Sequence, residues 1–401
     1  MRSMKKIDLY LLTLLFITLA CSSSSIEENK EIEKPKPNET SELATIITNE
    51  VESIDVYEAV LWGQITNNGG SSIRERGICY GLTEKPTYED NKTRPNLSKT
   101  TGEFRVGLNN LEANKKYYAR AYGINAKGVS YGNEIIFTTL APASPLININ
   151  DTTVSGAHDL FINVELEKGD LTILELGVVY AKETKPTLDD NKIVNKEVKD
   201  KYLQRITNLE EQTAYFLRPY VITSEGTLYG EEKNLQTIRE GNFTYSFRAN
   251  GADEATQSRI KSAFNKATEY YNNYTSIEKH VTVNYSPGTP TADANFDGWI
   301  NMGAKTSYQR AGTAMHEMAH TVGIGTHWKY AELMKGTWQG NRANEILQMM
   351  TNNPDAVMKG DGTHMWPYGI NGAHEDSGSD ELYMVHALII QGMKTDGLPS
   401  N

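Results

Sequence analysis

Residues 74–92 read RERGICYGLTEKPTYEDNK and residues 174–192 read LELGVVYAKETKPTLDDNK, so Gly77, Pro86 and Asp90 each recur a hundred positions later. A second pair of blocks, LEANKKYYARAYGINAKGVSYGNEIIFTT at 111–139 and LEEQTAYFLRPYVITSEGTLYGEEKNLQT at 209–237, matches at an offset of 98. Two copies of one unit, each close to a hundred residues, account for both offsets if two residues are deleted between the blocks. Each copy consists of short alternating stretches bounded by Gly, Asn and Pro, the signature of antiparallel strands. In YYARAYG the residues Tyr118, Arg120 and Tyr122 fall on one face and small residues on the other. About half of the 401-residue chain is thereby confined to all-β modules.

The first forty residues differ in kind. Arg2, Lys5 and Lys6 precede the apolar run LYLLTLLFITLA, which is too short to span a bilayer comfortably and ends at Leu19-Ala20-Cys21. This resembles the bacterial lipoprotein box, which implies a signal peptide over residues 1–20 and a lipid on Cys21, attaching the protein to the membrane. Residues 22–42 are polar, charged and proline-containing, the composition of a disordered tether. Serines followed by acidic residues from Glu27 resemble the surface-export signal of Bacteroidetes lipoproteins, which implies an outer-membrane, surface-exposed location. The chain has two cysteines; with Cys21 lipidated, Cys79 has no partner and reads as a buried, inert thiol. A net charge of −11 argues against nucleic acid, which selects a basic face.

After residue 241 the pattern changes to strand (FTYSFRAN), amphipathic helix (residues 256–274, with Ile260, Phe264, Ala267 and Tyr271 in register) and two further strands (HVTVNY, DGWINMG). A helix over residues 307–322 then carries TAMHEMAH. On that helix His316 and His320 are one turn apart and share a face. Ala311, Met315, Met318 and Val322 form a separate apolar stripe, so the histidines are not explained as core. Gly323 lets the chain turn sharply and bring a later group back towards the same ion. Neutral imidazoles bind Zn2+ well, and three protein ligands leave one position open for water. Glu317, beside the first histidine, is placed to take a proton from that water as general base.

His316, Glu317, His320 and Gly323 resemble the HExxHxxG motif of the metzincin zinc endopeptidases position for position. The clan's third histidine falls three residues after the glycine, where this chain has Thr326. His327, one residue later, is our choice of third ligand, with His364 and Glu345 as the alternatives. The resemblance further implies a substrate-aligning edge strand, for which DGWINMG is the candidate, and a methionine turn at Met365 with Tyr368 nearby. His374, Glu375 and Asp376 read as solvated or calcium-binding, and His386 as structural. The repeats resemble fibronectin type III modules through their aromatic-x-Arg-x-Tyr strand and closing Thr-Thr.

The expected architecture is multidomain: immunoglobulin-like all-β sandwiches at 43–141 and 145–239, then an α+β zincin at 241–401. The expected function is a lipid-anchored, zinc-dependent endopeptidase of the cell envelope acting on protein or peptide substrates, with Zn2+ as cofactor. The modules would serve as spacers or as contacts to host or surface glycoproteins. The competing reading is a non-catalytic adhesin or a glycan- or protein-binding lipoprotein on a zincin scaffold, against which Glu317 speaks, since mere metal binding has no use for a base there.

Overall fold

The structure, a computed structural model, describes residues 41–93 and 101–400. Cys21 and the signal segment lie outside the described residues, as does the tether up to residue 40. No described helix is long and apolar enough to cross a membrane. The chain divides into two compact units after Leu140.

The first unit contains β1 (Thr45–Ile54), β2 (Ala59–Asn67), β3 (Glu75–Gly81), β4 (Asn91–Lys92), β5 (Gly102–Leu108), β6 (Lys116–Ile124), β7 (Val129–Tyr131) and β8 (Ile135–Thr138). One sheet runs β1-β2-β5 and the other β4-β3-β6-β7, with β8 also on β6. Leu61 and Ile65 from one sheet and Ile78, Ala119 and Ala121 from the other fill a common core, as expected for a sandwich. Cys79, next to Ile78 but outside this core cluster, is buried with its thiol against Pro86 O and Arg120 O, and burial pushes the thiol up to about 11.

The second copy repeats this arrangement in β9 (Leu146–Ser155), β10 (Leu160–Glu167), β11 (Ile173–Ala181), β12 (Asn191–Asn195), β13 (Lys201–Ile206), β14 (Ala214–Thr223), β15 (Gly226–Tyr229) and β16 (Lys233–Gln236). Its sheets run β13-β10-β9 and β12-β11-β14-β15, with β16 on β14. The internal contacts repeat as well. Tyr122 donates to Glu75 at 2.7 Å and Tyr220 to Glu175 at 2.7 Å. The Tyr117 and Tyr215 hydroxyls accept the N–H groups of Glu112 and Glu210.

The remaining elements are β17 (Asn242–Arg248), α1 (Glu254–Tyr274), β18 (Glu278–Tyr285), β19 (Ala292–Ala294), β20 (Trp299–Met302), α2 (Ala311–Thr321), α3 (Trp328–Leu333), α4 (Arg342–Thr351), β21 (Lys359–Gly360), β22 (Met365–Trp366) and α5 (Asp380–Thr395). Asp253 caps α1 by accepting from Thr256 N at 2.7 Å, and Ile260, Phe264, Ala267 and Tyr271 bury one stripe of it. Because α1 crosses over, β17 and β18 pair in parallel; β20 also joins β18 in parallel and β19 joins β20 antiparallel. The order is therefore β17-β18-β20-β19. DGWINMG supplies the interior strand β20, and the edge belongs to β19, whose three residues are too few to show periodicity in sequence.

The second copy is not a free spacer. Leu160, Phe161 and Ile162 on β10 are all buried, which breaks the expected alternation. Phe161 and Val154 belong to the core of the C-terminal elements, with Tyr271, Tyr274 and Ile277. Arg205 crosses the same boundary, donating to Asp159 at 3.0 Å and to the Tyr274 hydroxyl at 2.7 Å. Arg342 Nη2 donates to Thr153 O at 2.5 Å, and Ala157 N to Asn273 O at 2.8 Å.

Candidate metal centre

Helix α2 is buried along most of its length, with Met315 and Met318 wholly inside the core. A clamp not anticipated from sequence fixes its start. The carboxylate of Asp376, buried itself, accepts from Gly312 N at 3.1 Å and from the Tyr383 hydroxyl at 2.7 Å, and pairs with Arg310 Nε at 2.5 Å. The helix ends at Thr321 with Val322 as its C-cap, and Gly323 follows with φ of +108°, where a β-carbon would stand 2.9 Å from Pro399 O.

His316 and His320 project from one face of this helix. His316 Nδ1 lies 2.9 Å from Gly369 O, and His320 Nδ1 lies 2.7 Å from Ile324 O. A carbonyl oxygen only accepts, so both Nδ1 atoms carry the proton and both Nε2 atoms of the neutral rings present lone pairs. Those two Nε2 atoms are 3.1 Å apart. Burial, then the neighbouring His320, lowers His316 to about 3, and burial also lowers His320, so neutral rings are favoured. Two lone pairs facing one another at this distance repel, and a cation between them reverses the sign of the interaction.

The third member is His364. One ring nitrogen of each of His316, His320 and His364 lies within 4.8 Å of the others. A tight turn presents His364: Asp361 Oδ1 accepts from Thr363 N at 2.8 Å and from His364 N at 2.6 Å, and the Tyr330 hydroxyl donates to His364 O at 2.7 Å. These three imidazoles could hold a divalent cation that favours nitrogen ligands.

His327, our choice from sequence, is not brought to the cluster. After Gly323 the chain turns again at Gly325, and His327 becomes the N-cap of α3, its Nδ1 accepting from Lys329 N at 3.1 Å. Its ring lies against Phe296 and Trp328 instead. Committed to a cap, the side chain cannot also turn to the ion. Thr326 does line the site, its hydroxyl donating to His320 O. Glu345 is likewise elsewhere, on α4 and paired with Arg342 at 3.1 Å. Met365 is buried in the core, whereas Tyr368 does not line the cleft; its carbonyl receives His386 Nδ1 at 2.7 Å. His386 is wholly buried, with Nε2 at 3.2 Å from the Tyr271 hydroxyl. His374 is exposed beside Glu375.

Glu317 is 4% exposed, and its Oε2 has no hydrogen-bond partner. Burial, and to a smaller extent Asp293, push its carboxyl up to about 8. It faces a cleft of about 300 Å³ lined by Thr291, Ala292, Asp293 and Ala294 on and beside β19, by Tyr308 and Thr313, by the three histidines, and by Ile370, Asn371 and Gly372. Helix, edge strand and post-Met365 loop thus converge on one opening that holds three imidazoles and an unpartnered carboxyl. The class these features define is a mixed-sheet domain with a cluster of three histidines and an adjacent buried acid.

No family model and no curated protein matches the chain. Two solved structures resemble parts of it. The sensor domain of the anti-sigma factor RsgI4 of Pseudobacteroides cellulosolvens is 18% identical over 24% of this chain and 95% of that one, with a TM-score of 0.21. The FN1–FN3 domains of chicken CNTN1 are 10% identical over 49% of this chain and 68% of that one, with a TM-score of 0.20. Likenesses this weak establish no kinship.

Proposed function

We propose that the C-terminal domain is a zinc-dependent, metzincin-like endopeptidase, carried on a lipid-anchored protein of the cell envelope. The observation that carries this reading is the pairing of a converging imidazole set with an acid beside it whose second oxygen has no protein partner. Tetrahedral Zn2+ with bonds of about 2.0–2.1 Å sets its ligand nitrogens about 3.3–3.4 Å apart, close to the His316–His320 separation of 3.1 Å. His316, His320 and His364 would hold the ion, which when bound acidifies water and polarises a carbonyl.

The chain supplies the rest. Gly369 O and Ile324 O fix the two helix imidazoles in the tautomer that leaves Nε2 free. Glu317 accepts the proton of the attacking water and returns it to the leaving amine, its Oε2 having no protein partner to compete for that proton. The edge strand β19 offers unpaired main-chain groups to an extended peptide laid along the cleft. Such a site cleaves amides without a covalent intermediate.

Glu317→Gln tests the reading. The variant is expected to bind zinc stoichiometrically by elemental analysis while losing roughly 10²–10⁴-fold in peptide turnover. Turnover equal to wild type would overturn it.

A further inference from the structure

The wall of the cleft formed by β19 ends at Ala294, and residues 295–298 turn the chain into β20, with Asn295 N bonded to Trp299 O at 3.1 Å. Phe296 stands in this turn, its carbonyl held by Lys279 Nζ at 2.9 Å. The opposite wall ends at Thr326, and the next residue, His327, places its ring 4.9 Å from that of Phe296. Trp328 continues the series, 5.3 Å from His327, and is 67% exposed. Both walls of the cleft therefore lead, within two residues, onto one row of three aromatic rings.

We propose that Phe296, His327 and Trp328 form a specificity subsite that receives an aromatic side chain of the peptide lying along β19. The proposal rests on the peptidase reading above. An extended peptide advances about 3.3 Å per residue, and the turn that follows Ala294 sets Phe296 just past the end of the strand along which it lies. Tilted rings such as these favour a further ring edge-on over an aliphatic chain. Lys279 Nζ lies 4.8 Å from the Phe296 ring and Lys329 Nζ 5.7 Å from that of Trp328, but Lys329 pairs with Glu332 at 2.8 Å and Asp297 acts on Lys279, so the flanking charges largely offset one another. The residue that sequence spacing assigns to the metal thus belongs to substrate selection, held by its cap to Lys329 N with Nε2 free to donate.

The test uses the described ectodomain and peptides differing at one position, occupied by Phe, Leu, Ala or Lys and scanned through the sites flanking the cleaved bond. One position is expected to favour Phe over Ala about tenfold in kcat/KM, expressed in KM. Trp328→Ala and Phe296→Ala should each reduce that ratio to about twofold or less, while Trp299→Ala, on the outer face of β20, leaves it intact. Calorimetric binding of the Phe and Ala peptides to Glu317→Gln repeats the comparison without turnover. Phe-selective binding that Trp328→Ala abolishes, with no cleavage by wild type, would sustain the subsite and sink the peptidase reading. A Phe-to-Ala ratio unchanged in both rim variants, or equal binding of the two peptides, would overturn the subsite.

Discussion

Replacing His364 and His327 separately by alanine separates the two ligand sets most directly. Structural zinc sites with four ligands yield roughly 10–16 kcal/mol, or about 3–4 kcal/mol for each ligand. Removing one true ligand should therefore weaken zinc by about 10²–10³-fold. His364 has a ring nitrogen within 4.8 Å of those of His316 and His320, so His364→Ala should show this full loss, matching His316→Ala. His327→Ala removes an N-cap from a six-residue helix, a change of about 1 kcal/mol in stability that leaves all three imidazoles in place. The assay is competition for zinc against a chromophoric chelator at neutral pH, with circular dichroism to confirm that each variant is folded. If His327→Ala lost zinc as severely as His316→Ala while His364→Ala retained it, the ligand set argued here would be wrong.

Phe161→Ala should destabilise the second unit as a whole by about 3–5 kcal/mol, because the ring fills the core of the C-terminal elements; denaturant unfolding followed near the histidine cluster reads it. Val60→Ala, the equivalent position in the first copy, should cost far less, since that residue is only half-buried. Burial lowers His386 to about 4 from an ordinary 6.5, so between these values the unfolded chain binds the extra proton and stability rises with pH. The contribution is complete above about pH 6.5 and amounts to about 2 kcal/mol between pH 7 and 5; in His386→Leu this part of the pH dependence should vanish from urea-unfolding curves.

The repeat was legible because both copies preserve the residues that make the same internal contacts, such as Glu75–Tyr122 and Glu175–Tyr220. The motif helix was legible because a spacing of four fixes two imidazoles on one face by geometry alone. The third imidazole of the cluster was not, because nothing in local spacing separates a histidine four residues past Gly323 from one 41 residues past it. Only the cap made by His327 and the turn made by Asp361 decide between them. The edge strand was missed because β19 has three residues, and Asp376 because a clamp on a helix terminus 64 positions away leaves no periodic trace. One missed signal was readable: at the two outward positions where the first copy has Ser53 and Val60, the second has Val154 and Phe161. The change from Ser to Val and from Val to the larger Phe on the outward face of the second copy marks that face as covered.

These observations share a physical logic in the segment from Asp361 to Asp376. It presents His364, accepts the His316 proton through Gly369 O, accepts the His386 proton through Tyr368 O, and closes on the start of α2 through Asp376. Asn371 ties it to itself by donating to Met365 O at 2.9 Å. The helix contributes two imidazoles of the cluster and the loop one, but the loop also orients a helix imidazole and holds the helix terminus. Ligand convergence therefore depends on two elements distant in sequence reaching register together, rather than on the continuation of α2 alone. A third ligand immediately after the helix would leave this loop free to vary. Carried on the loop, it makes the shape of the cleft wall at Ile370, Asn371 and Gly372 part of the same structure that brings the imidazoles together.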